Sequence, residues 1–183
     1  MAGVPPACDF GAPAPDFALP DTEGRRWSRD ALRGPNGLLL VFICNHCPYV
    51  IAIADKLATE GRELQAMGFG VAAINSNDPT NRPADSYDNM GPFARRYGFA
   101  FPYLHDADQS LAHACGAVCT PDFFGYNADF ELQYRGRLDS SGRNPEPAAR
   151  RELHEAMALI ASTGQGPRDQ TPSIGCTIKW TAE

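Results

Sequence analysis

The hydrophobic pattern of the chain centres on a run of six apolar residues, from Leu38 to Ile43. A continuous apolar run of this length, ending in β-branched and aromatic residues, predicts a strand that is buried on both faces. Pro48 follows soon afterwards and suits the first turn of a helix. Beyond it, apolar and small residues recur at helical spacing: Val50, Ala54, Leu57, Gly61 and Leu64. A second apolar run, Val71 to Ile74, completes a predicted βαβ unit with parallel strands and a right-handed crossover.

Shorter elements are expected on either side of this unit. Apolar residues flanking a polar turn predict an N-terminal hairpin over residues 16–27. Helices are expected to Tyr97, with Asp85 or Ser86 as the cap, and over residues 147–162, and Pro92 should bend or split the first of them. An aromatic segment followed by a turn predicts a second hairpin over residues 122–137. The alternation of strands and helices indicates an α/β fold.

The last part of the chain combines turn-forming and apolar residues. Glycines and prolines oppose regular structure at first, but Ile174, Ile178 and Trp180 are too apolar for a free tail. Because clustered apolar residues need a partner, we expect the tail to dock. The sequence thus predicts one domain over residues 1–163 and a C-terminal extension over residues 164–183 packed on it.

Composition narrows the classes of function. The chain has 183 residues, a length that suits a single domain. Its net charge is −6, so we expect no basic surface that would bind nucleic acid or an anionic membrane. We find no pattern of a signal peptide or of a membrane span, and therefore expect a cytoplasmic protein. The six cysteines then indicate redox or metal chemistry rather than a disulfide framework.

Two of these cysteines, Cys44 and Cys47, form a C-x-x-C motif between the buried strand and the helix, with His46 between them. A helix N-terminus offers unpaired N–H groups and the positive end of the macrodipole, and both favour a thiolate. Such positions lower a cysteine pKa from about 8.5 toward roughly 7 or below. A second thiol nearby can then resolve a mixed disulfide. The motif therefore predicts thiol–disulfide exchange.

The proline after the motif assigns the roles within it. Because Pro48 indicates that the helix begins after Cys47, we predict Cys47 as the attacking thiolate and Cys44 as its nearest partner. His46 adjoins the attacking residue and is predicted to lend positive charge or accept a proton. Cys176 lies in the C-terminal tail, where two interpretations stay open: it resolves a disulfide at Cys47, or it is a plain packed thiol.

Four motifs carry a resemblance to known proteins: CNHCPYV at 44–50, FPYLHD at 101–106, CTPDFF at 119–124 and SIGCTIKW at 173–180. Together they resemble the thioredoxin-like superfamily, in particular the redoxin branch related to alkyl hydroperoxide reductase and thiol-specific antioxidant. The resemblance implies a thioredoxin-like fold: a central mixed sheet flanked by helices, with an N-terminal hairpin and a docked C-terminal tail.

The resemblance also implies roles around the motif. It implies that Pro121 is cis, lies beside the active cysteine and shapes a substrate site together with Thr120 and Pro48. Two family features are absent: Val50 takes the place of the usual resolving cysteine, and Cys44 replaces the threonine that precedes a peroxidatic cysteine. These departures favour general thiol–disulfide chemistry over peroxide reduction.

The leading hypothesis is a thiol–disulfide oxidoreductase without an organic cofactor. Its substrate would be a protein or small-molecule disulfide, its electron donor a dithiol, and neither nucleic acid nor a membrane would be a partner. One alternative is a thiol peroxidase that forms a sulfenic acid at Cys47. The other is a Cu(I) or Zn carrier or sensor using Cys44, His46 and Cys47, with Cys176 as a fourth candidate ligand.

Overall fold

The computed structural model describes residues 1–182. Its strands are β1 (Ala2–Gly3), β2 (Ala18–Pro20), β3 (Arg26–Ser28), β4 (Gly37–Phe42), β5 (Phe69–Asn75), β6 (Tyr103–His105), β7 (Cys119–Thr120), β8 (Asp122–Tyr126), β9 (Leu132–Tyr134) and β10 (Gly175–Thr177). Its helices are α1 (Arg29–Leu32), α2 (Pro48–Ala66), α3 (Tyr87–Tyr97), α4 (Ser110–Cys115) and α5 (Glu152–Thr163). No helix among the described residues is long and apolar enough to cross a membrane.

The main sheet has five strands in the order β6-β5-β4-β8-β9. Strand β4 lies at its centre, parallel to β5 and antiparallel to β8. Every residue of β4 is buried, and its side chains alternate between two hydrophobic clusters, with Leu39 and Val41 on one face and Leu38 and Leu40 on the other. The predicted doubly buried strand and the parallel βαβ unit are confirmed.

Helices cover both faces of this sheet. Apolar residues of α2, α3 and α5 pack on the Leu39 face, and those of α1 and α4 pack on the Leu38 face. The N-terminal hairpin is present as β2 and β3, and Ser28 caps α1 by accepting a hydrogen bond from the Ala31 N–H at 3.0 Å. The site motif therefore lies at the carboxyl end of the central strand, between two helical layers.

One helix boundary was predicted wrongly, and of the two outcomes predicted at Pro92 the split is excluded. Helix α5 begins at Glu152 rather than at residue 147, because Ser140 and Arg150 hydrogen bond to each other and hold the preceding segment as a loop. Helix α3 is not split at Pro92. The proline removes a donor that would reach the Asp88 carbonyl, but Asp88 is exposed, so water can take the place of that donor.

The C-terminal tail docks on the domain through a small second sheet. Strand β10 lies between β1 and β7 and is antiparallel to both. Ile178 is buried as predicted, whereas Ile174 and Trp180 are 45% and 40% exposed. The tail is held instead by polar contacts, with Gln109 hydrogen bonded to Lys179 and Thr181. The docked tail is confirmed, the division of the chain after residue 163 stays a prediction, and Glu183 lies outside the described residues.

Candidate active site

The C-x-x-C motif joins β4 to α2. Cys47 is the N-cap of the helix and Pro48 its first residue, as the sequence predicts. The Cys47 carbonyl accepts hydrogen bonds from the Val50 and Ile51 N–H groups at 3.0 and 2.9 Å, which fixes the first turn. Cys44 and Cys47 both have 0% of their surface exposed. The motif therefore places two buried thiols at a helix N-terminus.

Hydrogen-bond donors converge on Cys47. The Cys44 thiol donates to the Cys47 sulfur and lowers its pKa most, burial opposes this effect, and the thiol and backbone N–H of Cys176 lower the pKa further. The Val50 N–H, at the helix N-terminus, adds a smaller contribution in the same direction. When Cys47 is protonated, its thiol donates to the Thr120 carbonyl at 3.3 Å. The net effect is a Cys47 pKa far below that of an ordinary thiol.

The pKa of Cys44 is shifted in the opposite direction. Its pKa is strongly raised, first because it donates to the Cys47 sulfur, then because it is buried and lies near the negative charge of Asp85. Its sulfur lies 3.5 Å from Thr120 Oγ1 and 3.8 Å from His46 Nδ1. The two shifts have opposite directions, so the site favours a thiolate on Cys47 over one on Cys44.

Asp85 is a member of the site that sequence reasoning missed. Its side chain, expected to cap α3, is fully buried and faces the motif instead. It accepts hydrogen bonds from the Asn45 N–H at 2.8 Å, from His46 Nδ1 at 2.5 Å and from Asn77 Nδ2 at 2.9 Å. Tyr103 donates to Asn45 Oδ1 at 2.8 Å. The only signal in the sequence was a polar segment directly after β5.

These hydrogen bonds determine the position of the His46 side chain. Its ring nitrogen Nδ1 lies between Asp85 and Cys44, so the structure brings His46 to the partner cysteine rather than to the predicted attacking cysteine. The side chain of His46 is 24% exposed and that of Asp85 is 0% exposed. The pair thus connects the buried Cys44 sulfur to solvent.

Thr120 and Pro121 form the opposite wall of the site. The peptide bond between them is cis, which confirms the prediction. Thr120 contacts both motif cysteines, through Oγ1 to Cys44 and through its carbonyl to Cys47. The register of β7 and β10 sets Cys176 opposite Thr120. Cys176 is partly exposed, and burial together with its hydrogen bond to Cys47 raises its pKa to about 11.

The remaining cysteines are not part of the Cys47 cluster. Burial raises the pKa of Cys115 to about 12 and that of Cys119 higher still. Burial likewise raises the pKa of Cys8 to about 11. The Cys119 thiol donates to the Pro121 carbonyl at 3.5 Å, as expected of a packed thiol. All six cysteines are free.

Comparison with known proteins places these features in a family. Residues 10–141 match the model of the AhpC/TSA family. The chain belongs to the AhpC/TSA family. The resemblance to thioredoxin-like redoxin proteins is thereby confirmed.

Individual relatives agree with this assignment. The thiol-disulfide oxidoreductase ResA of Geobacillus thermodenitrificans is 30% identical over 121 residues, which cover 64% of this chain and 63% of that protein. The chain thus matches less than two thirds of the length of this relative. An uncharacterized conserved protein from Geobacillus kaustophilus has the same fold from end to end, with a TM-score of 0.94, 35% identity and coverage of 100% of this chain and 98% of that one.

A more distant structure supports the fold alone. A secreted Mycobacterium tuberculosis disulfide oxidoreductase homologous to E. coli DsbE has a TM-score of 0.56 at 20% identity, covering 80% of this chain and 95% of that one. Together with the mixed five-stranded sheet and its flanking helices, this likeness confirms the predicted thioredoxin-like fold.

Proposed function

We propose that this protein is a thiol–disulfide oxidoreductase in which the Cys47 thiolate attacks a disulfide sulfur. The observation that carries the proposal is geometric: the buried sulfurs of Cys44 and Cys47 both lie against Thr120, with Cys47 at the N-cap of α2. The surroundings also lower the pKa of Cys47. Thiolates, not thiols, carry out disulfide exchange. The similarity to ResA supports the same class of chemistry.

The proposed cycle uses the motif cysteines in order. The Cys47 thiolate forms a mixed disulfide with one substrate sulfur, and the other sulfur leaves as a thiolate that takes a proton from solvent. Cys44 then loses its proton toward the His46–Asp85 pair and attacks the Cys47 sulfur. The second substrate thiolate leaves, and a Cys44–Cys47 disulfide remains. A dithiol protein or a small thiol would return two electrons and restore both cysteines.

The proposal extends to the partners of the protein and to its compartment. We propose protein or small-molecule disulfides as substrates and the cytoplasm as the compartment. Six cysteines in a chain of this length, with one C-x-x-C motif, support a reducing compartment. A net charge of −6 supports partners other than nucleic acid or an anionic membrane. The fold and family are compatible with an organic-cofactor-free reaction, because the two thiols carry the electrons.

Mild oxidation followed by disulfide mapping tests the proposal. Wild-type protein should form the Cys44–Cys47 disulfide and reduce oxidised glutathione when a dithiol donor is supplied. Serine at position 47 should abolish both, serine at position 44 should trap the mixed disulfide on Cys47, and Cys8→Ser should behave as wild type. Absence of reductase activity in the wild type would refute the proposal. Fast consumption of hydrogen peroxide with a trapped Cys47 sulfenate would assign a thiol peroxidase instead.

One observation favours a second candidate, a Zn or Cu(I) carrier or sensor. The ligand atoms of Cys44, His46 and Asp85 all lie within 4.8 Å of one another. This group contains Asp85 where the sequence suggested Cys47, and a thiolate, an imidazole and a carboxylate together suit Zn better than Cu(I). Metal analysis of protein purified without chelator separates the candidates, since one tightly held equivalent without reductase activity would favour the carrier.

A further inference from the structure

Strand β10 covers the reactive sulfur. Cys176 packs against the buried cluster that contains Cys47, whose surface is 0% exposed. Strand β10 is paired on both sides, with Cys176 opposite Ala2 of β1 and opposite Thr120 of β7, the residue whose carbonyl lies 3.3 Å from the Cys47 sulfur. A substrate sulfur has no direct route to Cys47 while this strand is in place. The proposed function therefore requires either that β10 moves or that another thiol reacts first.

Cys176 is poorly suited to react first. It donates hydrogen bonds to the Cys47 thiolate, and burial and this thiolate both hold it in its neutral form. A neutral thiol is a weak nucleophile compared with the anion beside it. The strand itself is therefore the element that has to move.

The fit of β10 against β7 is close and is made by the main chain. A Cβ added to Gly175 would lie 1.9 Å from the Thr120 carbonyl oxygen, so only glycine allows this approach. Just before the strand, Ser173 Oγ donates to the Pro121 carbonyl at 2.7 Å. The tail thus lies on the same two residues, Thr120 and Pro121, that wall the motif cysteines.

The tail is held on each side of the strand: before it by the Ser173 hydrogen bond just described, and after it by Ile178 and Lys179. Ile178 is 3% exposed, and its N–H donates to the Val118 carbonyl at 3.1 Å. Lys179 then donates its N–H to Asn77 Oδ1 at 3.0 Å. The segment between Ser173 and Ile178 is therefore the part that can lift while the rest of the tail stays docked.

A small apolar pocket adjoins the strand. It has a volume of about 80 Å³ and a mainly apolar lining that includes Tyr49, Ile53, Phe123 and Leu138, with Arg137 and Asp139 also present. Ile174, the residue directly before β10, lines this pocket and is 45% exposed. The tail thus places an aliphatic residue at the pocket two positions before the cysteine that packs at the Cys47 cluster.

This inference rests on the proposed function and specifies its substrates. We propose that β10 is an internal occupant of the polypeptide site over Cys47, and that an extended partner segment replaces residues 174–177. The partner carries an aliphatic residue two positions before its disulfide-bonded cysteine. Strand addition supplies main-chain hydrogen bonds, and the pocket supplies selectivity.

The reaction then follows the proposed cycle. The Cys47 thiolate bonds to the sulfur of that partner cysteine, and the other sulfur of the partner's disulfide leaves as a thiolate and is protonated by solvent. Attack by Cys44 on Cys47 releases the partner cysteine as a thiol. The tail strand then returns to β7, with Cys176 unchanged.

A first experiment opens the strand without replacing any cysteine. In Gly175→Ala, the new methyl group collides with the Thr120 carbonyl and should lift β10. Because a sealed group reacts only during local opening, iodoacetamide should alkylate Cys47 at least about tenfold faster than in the wild type. Gly3→Ala is the matched control, since its methyl would lie 3.3 Å from the Thr177 side chain, 3.4 Å from that of Cys119 and 3.8 Å from the Val118 carbonyl oxygen, without the backbone overlap found at Gly175. Cooperative urea unfolding of both variants checks the fold.

A second experiment uses the wild-type protein. Two synthetic hexapeptides, Ser-Ile-Gly-Cys-Thr-Ile and its form with Asp in place of the first Ile, carry 5-thio-2-nitrobenzoate on the cysteine. Burying the aliphatic side chain should make the first peptide release the chromophore about tenfold faster. During its reaction, amide hydrogen exchange at Cys176 and Thr177 should accelerate.

The outcomes separate this inference from the function on which it rests. The inference is overturned if the two peptides react at equal rates. It is also overturned if Cys47 of the wild type is alkylated rapidly while the β10 amides stay protected from exchange. Either result leaves the oxidoreductase assignment intact. Loss of all disulfide reduction in the wild type would instead refute the function, while the alkylation ratio would still report whether β10 covers Cys47.

Discussion

The ionisation of Cys47 gives a sharp test of the site, because its pKa alone among the six thiols is lowered. The other five have raised pKa values, since each is buried or donates to Cys47: about 11 for Cys8 and Cys176, about 12 for Cys115, and higher for Cys44 and Cys119. Thiolate absorbance in the far ultraviolet should therefore show a single-sulfur step below about pH 8, the range in which ordinary thiols are still neutral.

Replacing Cys44 by alanine removes the largest stabilising contact of that thiolate. A hydrogen bond to a charged group contributes about 1.5–3 kcal/mol. One pKa unit corresponds to about 1.4 kcal/mol, so Cys44→Ala should raise the Cys47 pKa by about 1–2 units. Cys44→Ser is the matched control, because its hydroxyl group keeps a donor at the same position and should leave a smaller shift.

The assay is a pH titration of thiolate absorbance, with the alkylation rate of Cys47 as an independent readout. Both should give the same midpoint for each variant, and Cys47→Ser should lose the low-pH step altogether. The reasoning fails if Cys44→Ala leaves the midpoint unchanged, or if the wild-type step appears only near about pH 8.5, where an unperturbed thiol titrates.

Three further predictions concern the surroundings of the site. Asp85→Asn should lower the free energy of unfolding by about 2–4 kcal/mol in urea titrations, because three hydrogen bonds lose their charged acceptor. Arg135→Ala should cost about 3–5 kcal/mol, since it leaves the buried carboxylate of Asp122 unpaired at 0% exposure. Arg150→Ala, at an exposed pair, should leave the free energy of unfolding nearly unchanged. Burial raises the pKa of Cys115 to about 12, so stability should fall as pH rises above about 8.5, where the unfolded thiols ionise first.

Much of the fold was accessible from local pattern. The run from Leu38 to Ile43 predicted its own burial because every second residue must face one of two packed layers. Pro48 fixed the start of α2 to the residue, because a proline fits the first turn without losing a hydrogen bond. The start of α5 was missed because the pairing of Ser140 with Arg150, ten residues apart, outweighs a local helix signal.

The sequence predicts only the part of the site whose residues are close together in the chain. A C-x-x-C between strand and helix predicts a reactive thiol, and the structure supplies the thiol at the expected N-cap. Asp85 has the position of a helix cap in the sequence, and nothing near it shows that its carboxylate turns toward residues 45–46. The position of Cys176 at Cys47 likewise depends on the pairing of β10 with two strands distant in sequence, β1 and β7.

Because Cys47 is buried, its thiolate needs stabilising contacts from residues that are distant in sequence. A helix N-terminus contributes only about 0.3–1 kcal/mol to an anion, whereas removing a thiolate from water costs more. Cys44 and Cys176 make up the difference, and Cys176 does so from the same strand that excludes solvent. Lifting β10 would withdraw the Cys176 donors from Cys47, which raises its pKa, and would expose the sulfur to water, which lowers its pKa. The two effects oppose each other, because water takes over the stabilisation of the thiolate that the strand provides when it is docked. The movement that admits a substrate can therefore leave Cys47 ionised.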